Sequence, residues 1–288
     1  LAQTQARERL PSPLVRADHR CSLIESTRFA VHELLQFRHS PYNEKVRWVL
    51  DLKRIEHRRR SLLPGPHLPV VRRLTGRSQT PVLVHGGVAT DGSADIVAWL
   101  EGGNAVPALM PVDRVQRDEV LRIQRWFDDD LTPRIRRPIL AALLANPRYF
   151  ARVFGEALSP IAQAAYALVV PLAAPVIRKG NGITDDAAVN DGLLAAQEAL
   201  NFVAERSIAT GYLVGATLTL ADITAAATLA TLVRPADSPM ACPGPVGPAF
   251  LELMERFRAH PGAAWVRAIY EKHRLAKRDF EGPSGAQY

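Results

Sequence analysis

Two short apolar runs, residues 80–85 and 88–91, meet at Gly86-Gly87. A Gly-Gly pair between two such runs predicts an antiparallel hairpin, because the tight hairpin turns need backbone angles that glycine supplies. The chain upstream sets what this hairpin joins. Residues 30–37 read as a strand, with Val31, Leu34, Leu35 and Phe37 as its apolar members. Residues 41–53 read as a helix, with Tyr42, Val46, Val49, Leu50 and Lys53 on one face and Asn43, Lys45, Arg47 and Asp51 on the other. Residues 56–63 read as a second strand. Strand, helix and strand in so short a span predict a right-handed crossover between parallel strands. Pro64-Gly65-Pro66 breaks the chain, and residues 68–74 make a short helix ended by Gly76. After the hairpin, Ser93 opens a helix with the stripe Ile96, Val97 and Leu100.

The order β-α-β-α-β-β-α is the thioredoxin-like arrangement. Gly102-Gly103-Asn104 and Pro107 then mark a domain boundary, and beyond it the pattern offers helices only. Helices are expected over 112–130, 131–145, 149–158 and 185–206, the last with Leu193, Leu194, Gln197 and Leu200 facing inward. Residues 157–177 carry no charge at all. A membrane-spanning helix is one reading of this run, but Pro160, Pro171 and Pro175 interrupt it, and a buried helix with proline-broken ends is preferred. Leu218-Thr219-Leu220-Ala221-Asp222-Ile223 predicts a capping box, with Asp222 reaching back to the Thr219 N–H and Leu218 and Ile223 as a hydrophobic staple. The nearly uncharged helix that follows should be buried. Helices over 249–259 and 262–276 close the domain. The expected division is an N-terminal arm over 1–28, a thioredoxin-like domain over 29–104, an all-α domain over 105–276 and a disordered tail over 277–288.

At 288 residues, 47% of them hydrophobic, the chain is long enough for two domains and a sizeable core. Its two cysteines, Cys21 and Cys242, are far apart, which argues against a disulfide scaffold, a zinc module and a dithiol redox centre. No metal site is expected. The net charge is +7, with arginines dense between Arg54 and Arg77. They make either a solvated surface, the preferred reading, or a positive field for anionic ligands. No nucleic-acid-binding pattern accompanies the charge. Residues 1–28 contain charged residues and no apolar run of signal-peptide length.

The chemistry points to Ser40-Pro41. Serine is a favoured N-cap and proline suits the first helical position. A hydroxyl at this strand-to-helix turn sits by the positive end of the helix dipole, where an anion is stabilised. A plain cap is the alternative.

Three stretches carry a family resemblance: the Ser40-Pro41-Tyr42 turn with Lys45-Val46-Arg47 behind it, Thr80-Pro81 opening the third strand, and Tyr212-Leu213-Val214-Gly215 leading to Thr219-Leu220-Ala221-Asp222. In this order the chain resembles the glutathione transferase superfamily over about residues 29–275. The resemblance implies glutathione as co-substrate, with Ser40 donating a hydrogen bond to its thiolate, and Tyr42 as the alternative hydroxyl. It implies a cis Thr80-Pro81 bond, with Thr80 pairing the cysteinyl backbone; a trans proline starting an edge strand is the alternative. Ser93 would bind the γ-glutamyl carboxylate. The residue before that serine is usually acidic or Gln in the family and is Gly92 here, so Asp91 is the candidate for the γ-glutamyl ammonium. His67 would face the glycyl carboxylate or be an exposed loop histidine. The implied activity is conjugation of glutathione to a small hydrophobic electrophile, held between the domains by helices over 112–145, in a cytoplasmic homodimer. The rival is a non-catalytic binding or scaffold module of the same fold, with membrane attachment through 157–177 as a further variant.

Overall fold

The computed structural model describes residues 32–103 and 106–284. The expected arm over 1–28 and Cys21 lie outside them, as does Asn104 of the domain boundary. The first domain runs β1 (His32–Gln36), α1 (Pro41–Leu52), β2 (His57–Ser61), α2 (Leu68–Thr75), β3 (Val82–His85), β4 (Val88–Asp91) and α3 (Ser93–Gly103). This is the expected β-α-β-α-β-β-α order. β1 and β2 are parallel, with His32 opposite His57; β3 is antiparallel to β1, with Leu34 opposite Leu83. The hairpin closes with His85 opposite Val88. Gly86 and Gly87 both have positive φ, 55° and 82°, as a two-residue turn of this twist requires. Gly76 ends α2 in the left-handed conformation.

The second domain is helical. α4 (Arg114–Trp126) passes through a π-helical turn over Phe127–Leu131 into α5 (Thr132–Leu144). Then follow α6 (Pro147–Phe154), α7 (Pro160–Gly180), α8 (Asp186–Arg206), α9 (Leu220–Val233), α10 (Pro248–Phe257) and α11 (Pro261–His273). α9 is the axis. Nearly every residue in it is buried, and it packs against α1, α4, α10 and α11. Its start is built as expected: Asp222 accepts from the Thr219 N–H and the Thr219 hydroxyl, each at 2.8 Å. Its other oxygen accepts from the Leu213 N–H at 2.8 Å.

The structure corrects four expectations. The polar face of α1 does not meet water: Asn43, Glu44, Lys45, Arg47 and Asp51 are all buried. Their charges are paired instead. Arg47 meets Glu44 at 2.7 Å, Lys45 meets Asp128 of the π-turn, and Arg274 bridges Glu44 and Asp51 at 2.8 and 2.7 Å. Arg59 of β2 is likewise buried between Asp51 and Asp279, while its strand neighbours Arg58 and Arg60 are exposed. The arginine-dense stretch is thus only partly a solvated surface.

The tail is not disordered through residue 284. Asp279 is buried against Arg47 and Arg59, and β5 (Gly282–Pro283) adds a fifth strand beside β2, giving the order β4-β3-β1-β2-β5. Ion pairs and the single buried ring of Phe280, under the Arg59 guanidinium, dock this segment, and the hydrophobic pattern carried no signal of it. In α8 Leu200 is buried as expected, with Val203, but the other inward positions are Gly192, Ala195, Ala196 and Ala199, whereas Leu194 and Gln197 are exposed. Small residues let α5 approach so closely that a Cβ on Gly192 would lie 2.4 Å from the Arg134 carbonyl oxygen. Finally, α7 is continuous through its prolines and is not buried; Val170 is its one buried residue.

Candidate active site

α1 opens at the edge of a cavity of about 490 Å³ between the sheet domain and α5, α6 and α7. Ser40 is the N-cap, extended at φ −86° and ψ 131°, yet its side chain makes no capping hydrogen bond. Pro41 at the first helical position keeps the turn without it. The hydroxyl stands at the helix N-terminus in the cavity wall, beside Tyr42, His67 and Thr80. A donor there is placed to meet an anion.

His39, just before it, has φ 58°, rare for a residue with a side chain. Its ring is pinned. Nδ1 lies 3.0 Å from Arg234 Nη1, which can only donate, so Nδ1 accepts and the ring proton sits on Nε2, 3.6 Å from a Glu156 oxygen. Burial, with Arg234 beside it, lowers the His39 pKa to about 4, against the pull of Glu156. A neutral His39 therefore fixes the turn and leaves Ser40 as the adjoining polar group.

A second cavity, of about 800 Å³, adjoins the first; Tyr42, Gln79, Thr80 and Arg136 line both. The Thr80-Pro81 bond is cis, as expected. Thr80 precedes the β3 ladder, which begins at Val82, and its hydroxyl accepts from Asn43 Nδ2 at 3.1 Å. Ser93 lies in the wall of the second cavity at the first turn of α3. Gly92 has φ 88°, so an acidic residue could not take its place without strain.

Residues 34–105 match the family described as the glutathione S-transferase N-terminal domain. Solved structures extend the likeness over both domains. A glutathione S-transferase from Rhodospirillum rubrum F11 is 19% identical at a TM-score of 0.58, over 83% of this chain and 88% of that one. One from Methylobacillus flagellatus KT, solved with glutathione bound, is 20% identical at 0.53, over 84% and 95%. The β-etherase LigF from Sphingobium sp. strain SYK-6 is 19% identical at 0.53, over 84% and 99%. This chain has the glutathione S-transferase fold. No curated protein sequence matches it.

Within that glutathione S-transferase fold, the expected site residues divide. Ser40, Tyr42, Thr80, Pro81 and Ser93 come together along the two joined cavities. Tyr42 is spoken for: its hydroxyl donates to the Asp128 carbonyl at 2.7 Å, and burial pushes its pKa up to about 12. It ties α1 to the π-turn. His67 lines the first cavity, but its Nδ1 accepts from the Gly65 N–H at 3.1 Å and its Nε2 donates to the Ser78 carbonyl at 2.9 Å. Burial lowers its pKa as well. It is a neutral loop brace, neither the cation nor the free loop histidine expected. Asp91 lines neither cavity; it lies 3.6 Å from Arg77 across the loop. The acids in the second cavity are Asp95, Glu101, Asp128 and Asp129.

Sequence reasoning missed Arg136. Among the described residues it is the one cation lining both cavities, and its Nε has no hydrogen-bond partner. Burial lowers its pKa, partly offset by Tyr42 nearby. One arginine of three, between Arg134 and Arg137, carries no motif; only the fold brings it opposite α1.

Proposed function

We propose that this protein binds glutathione across the two joined cavities, holds its sulfur as a thiolate at Ser40, and conjugates it to a small hydrophobic electrophile. The observation that carries the reading is the uncommitted Ser40 hydroxyl at the α1 N-terminus, in the wall of a cavity that Thr80 also lines. A free thiol near pKa 8.5 is largely protonated at neutral pH. A donating hydroxyl, the helix dipole and the nearby Arg136 all favour the anion, which then attacks the electrophile. Ser40 stabilises the anion and is not itself the nucleophile. Thr80 outside the ladder would pair the cysteinyl backbone and Ser93 the γ-glutamyl carboxylate. Arg136 takes over the carboxylate role expected of His67, and Asp95 or Asp129 the ammonium role expected of Asp91. The electrophile would lie in the first cavity, against Ile135, Ile139 and Leu143 of α5 and the inner face of α7. Glutathione is a thiol of the reducing cytoplasm, and that is where the reading places the protein.

A second reading, a binding module of the same fold without catalysis, is favoured by the commitment of His67 and the distance of Asp91. One titration separates the two. Bound glutathione should show thiolate absorbance at neutral pH. Ser40→Ala should raise its thiol pKa by about one to two units, the equivalent of one hydrogen bond to a charged group at about 1.5–3 kcal/mol, and weaken binding less. Ser40→Cys should not restore conjugation. Glutathione bound without a thiolate signal would favour the binding module; no binding at all would end the transferase reading and leave a module for another ligand.

A further inference from the structure

α7 lies on the outside of the molecule, yet it has no water-facing side. From Ile161 to Ile177 every exposed position is apolar. Ile161 is 84%, Leu168 79% and Leu172 80% exposed. The opposite face is occupied: Tyr166 donates to the Pro64 carbonyl at 2.9 Å, Gln163 to the Gly155 carbonyl at 3.0 Å, and Val170 is buried. An ordinary surface helix puts polar residues where α7 puts leucine and valine. A contiguous apolar strip of this kind on a folded chain marks an interaction surface.

We infer that the outer face of α7 docks on an anionic lipid bilayer, with the helix lying in the plane of the interface. Three observations select this partner. The first is charge. No acidic residue occurs between Glu156 and Asp185, and the cations in that interval, Arg178 and Lys179, are exposed together at the end of the helix, in a chain of net charge +7. That complements anionic headgroups. The second is area. A 21-residue helix is about 31 Å long and presents a strip roughly 10 Å wide, or about 300 Å²; a stable protein pair needs about 800 Å² from each partner. A bilayer has no such threshold, since an apolar helix face enters it about 5–10 Å deep. The third is anchorage. The helix is long and apolar enough to cross a membrane by composition, but its inner face is bonded to the fold and lines the first cavity through Ala173 and Ile177, so it lies on the bilayer instead of spanning it. The cavity is thereby one helix away from lipid.

The test is flotation of the full chain with phosphatidylcholine vesicles, with and without phosphatidylglycerol. The wild type should float with the anionic vesicles and release at high salt. Leu168→Glu with Leu172→Glu should cut the partition coefficient by about tenfold or more, since it places two charges in the docking face. Leu194→Glu with Ile208→Glu makes the same charge change on exposed positions of other elements and should float like the wild type; thermal melts confirm that both variants are folded. Docking is overturned if the wild type does not float, if Leu168→Glu with Leu172→Glu floats equally well, or if the control loses flotation to the same degree. It is also overturned if sedimentation finds a self-associated form broken by Leu168→Glu with Leu172→Glu and no vesicle binding, which would give the face to a second copy. None of these outcomes depends on glutathione, so the docking and the proposed activity fail or stand separately.

Discussion

α7 and α9 are two nearly uncharged helices of one domain, and they end in opposite places. In α9 every residue from Leu220 to Leu232 is buried; in α7 one is. Both read from sequence as core helices. An absence of charge says that water is a poor neighbour for a segment. It does not say which neighbour replaces water. α9 starts from a capped, hydrogen-bonded turn and is sheathed by α1, α4, α10 and α11. α7 starts from Ser159, whose hydroxyl accepts from the Ala162 N–H at 3.3 Å, and is covered on one side by α6 and α5. The difference lies in the surroundings, and those can be perturbed one at a time.

The largest effect is expected where the cover of α9 is pinned. Arg274 follows α11 and bridges Glu44 and Asp51 of α1, so one guanidinium ties together two of the helices packed on α9. Arg274→Ala leaves two buried carboxylates short of a partner and should cost about 3–5 kcal/mol, read as a lower urea midpoint at pH 7. The same cluster predicts an acid response. Burial alone would raise Asp51, but Arg274 and Arg59 overcome it and hold its pKa down to about 2; Asp279 is also held well below the carboxylate range by Arg47 and Arg59 against its burial. A carboxylate depressed in the folded state contributes stability in full above its unfolded value near 3.9, and loses it as pH falls through the folded one. Wild-type stability should therefore drop between about pH 4 and pH 2, and the Arg274→Ala variant should lose less over that window. A flat profile there would show that the buried charges do not hold the sheath.

Asp222→Ala attacks α9 at its start. A lost cap alone costs about 0.5–2 kcal/mol. Here the carboxylate also holds the Leu213 N–H, so two buried N–H donors lose their acceptor, and about 2–4 kcal/mol is expected in the same measurement. A change within 0.5 kcal/mol would mean that packing against α1 and α11 sets the position of α9 without its cap.

The same division runs through what was legible beforehand. Local signals were reliable: Gly86-Gly87 made its hairpin, Gly76 ended its helix and Asp222 built its box. Each needs only neighbours in sequence. What failed needed partners far along the chain. Arg59 could not be known as buried until Asp279, 220 residues on, came to meet it. Asp279 and β5 looked like a loose end because their docking rests on ion pairs and the Phe280 ring and carries no periodicity. Leu194 was assigned inward because it is large, while the close contact with α5 selected glycine and alanine. At the candidate site, Ser40 was legible as a helix cap, whereas Thr80, Pro81 and Ser93 came from the family resemblance. Arg136, and the ties that remove His67 and Tyr42 from service, exist only once α5 and the loop at 64–79 are in place.

The smallest effect is the most telling for α7. Leu172 is 80% exposed on its outer face, so truncating it removes no packed contact and opens no cavity. Leu172→Ala should leave the urea midpoint within about 0.5 kcal/mol of wild type in dilute, lipid-free solution. Buried leucines behave otherwise: a Leu→Ala change in a core costs about 2–5 kcal/mol, through lost transfer energy and an unfilled hole. If Leu172→Ala fell in that range, the outer face of α7 would already be covered in solution, and a cover present without lipid has to be protein. The dependence of the midpoint on protein concentration would then identify it, because a second copy of the chain stabilises by mass action and an intramolecular cover does not. If the midpoint holds at every concentration, the face is open to water in the free protein, and the contrast with α9 is complete: one uncharged helix is finished by its own fold, and the other waits for a surface outside it.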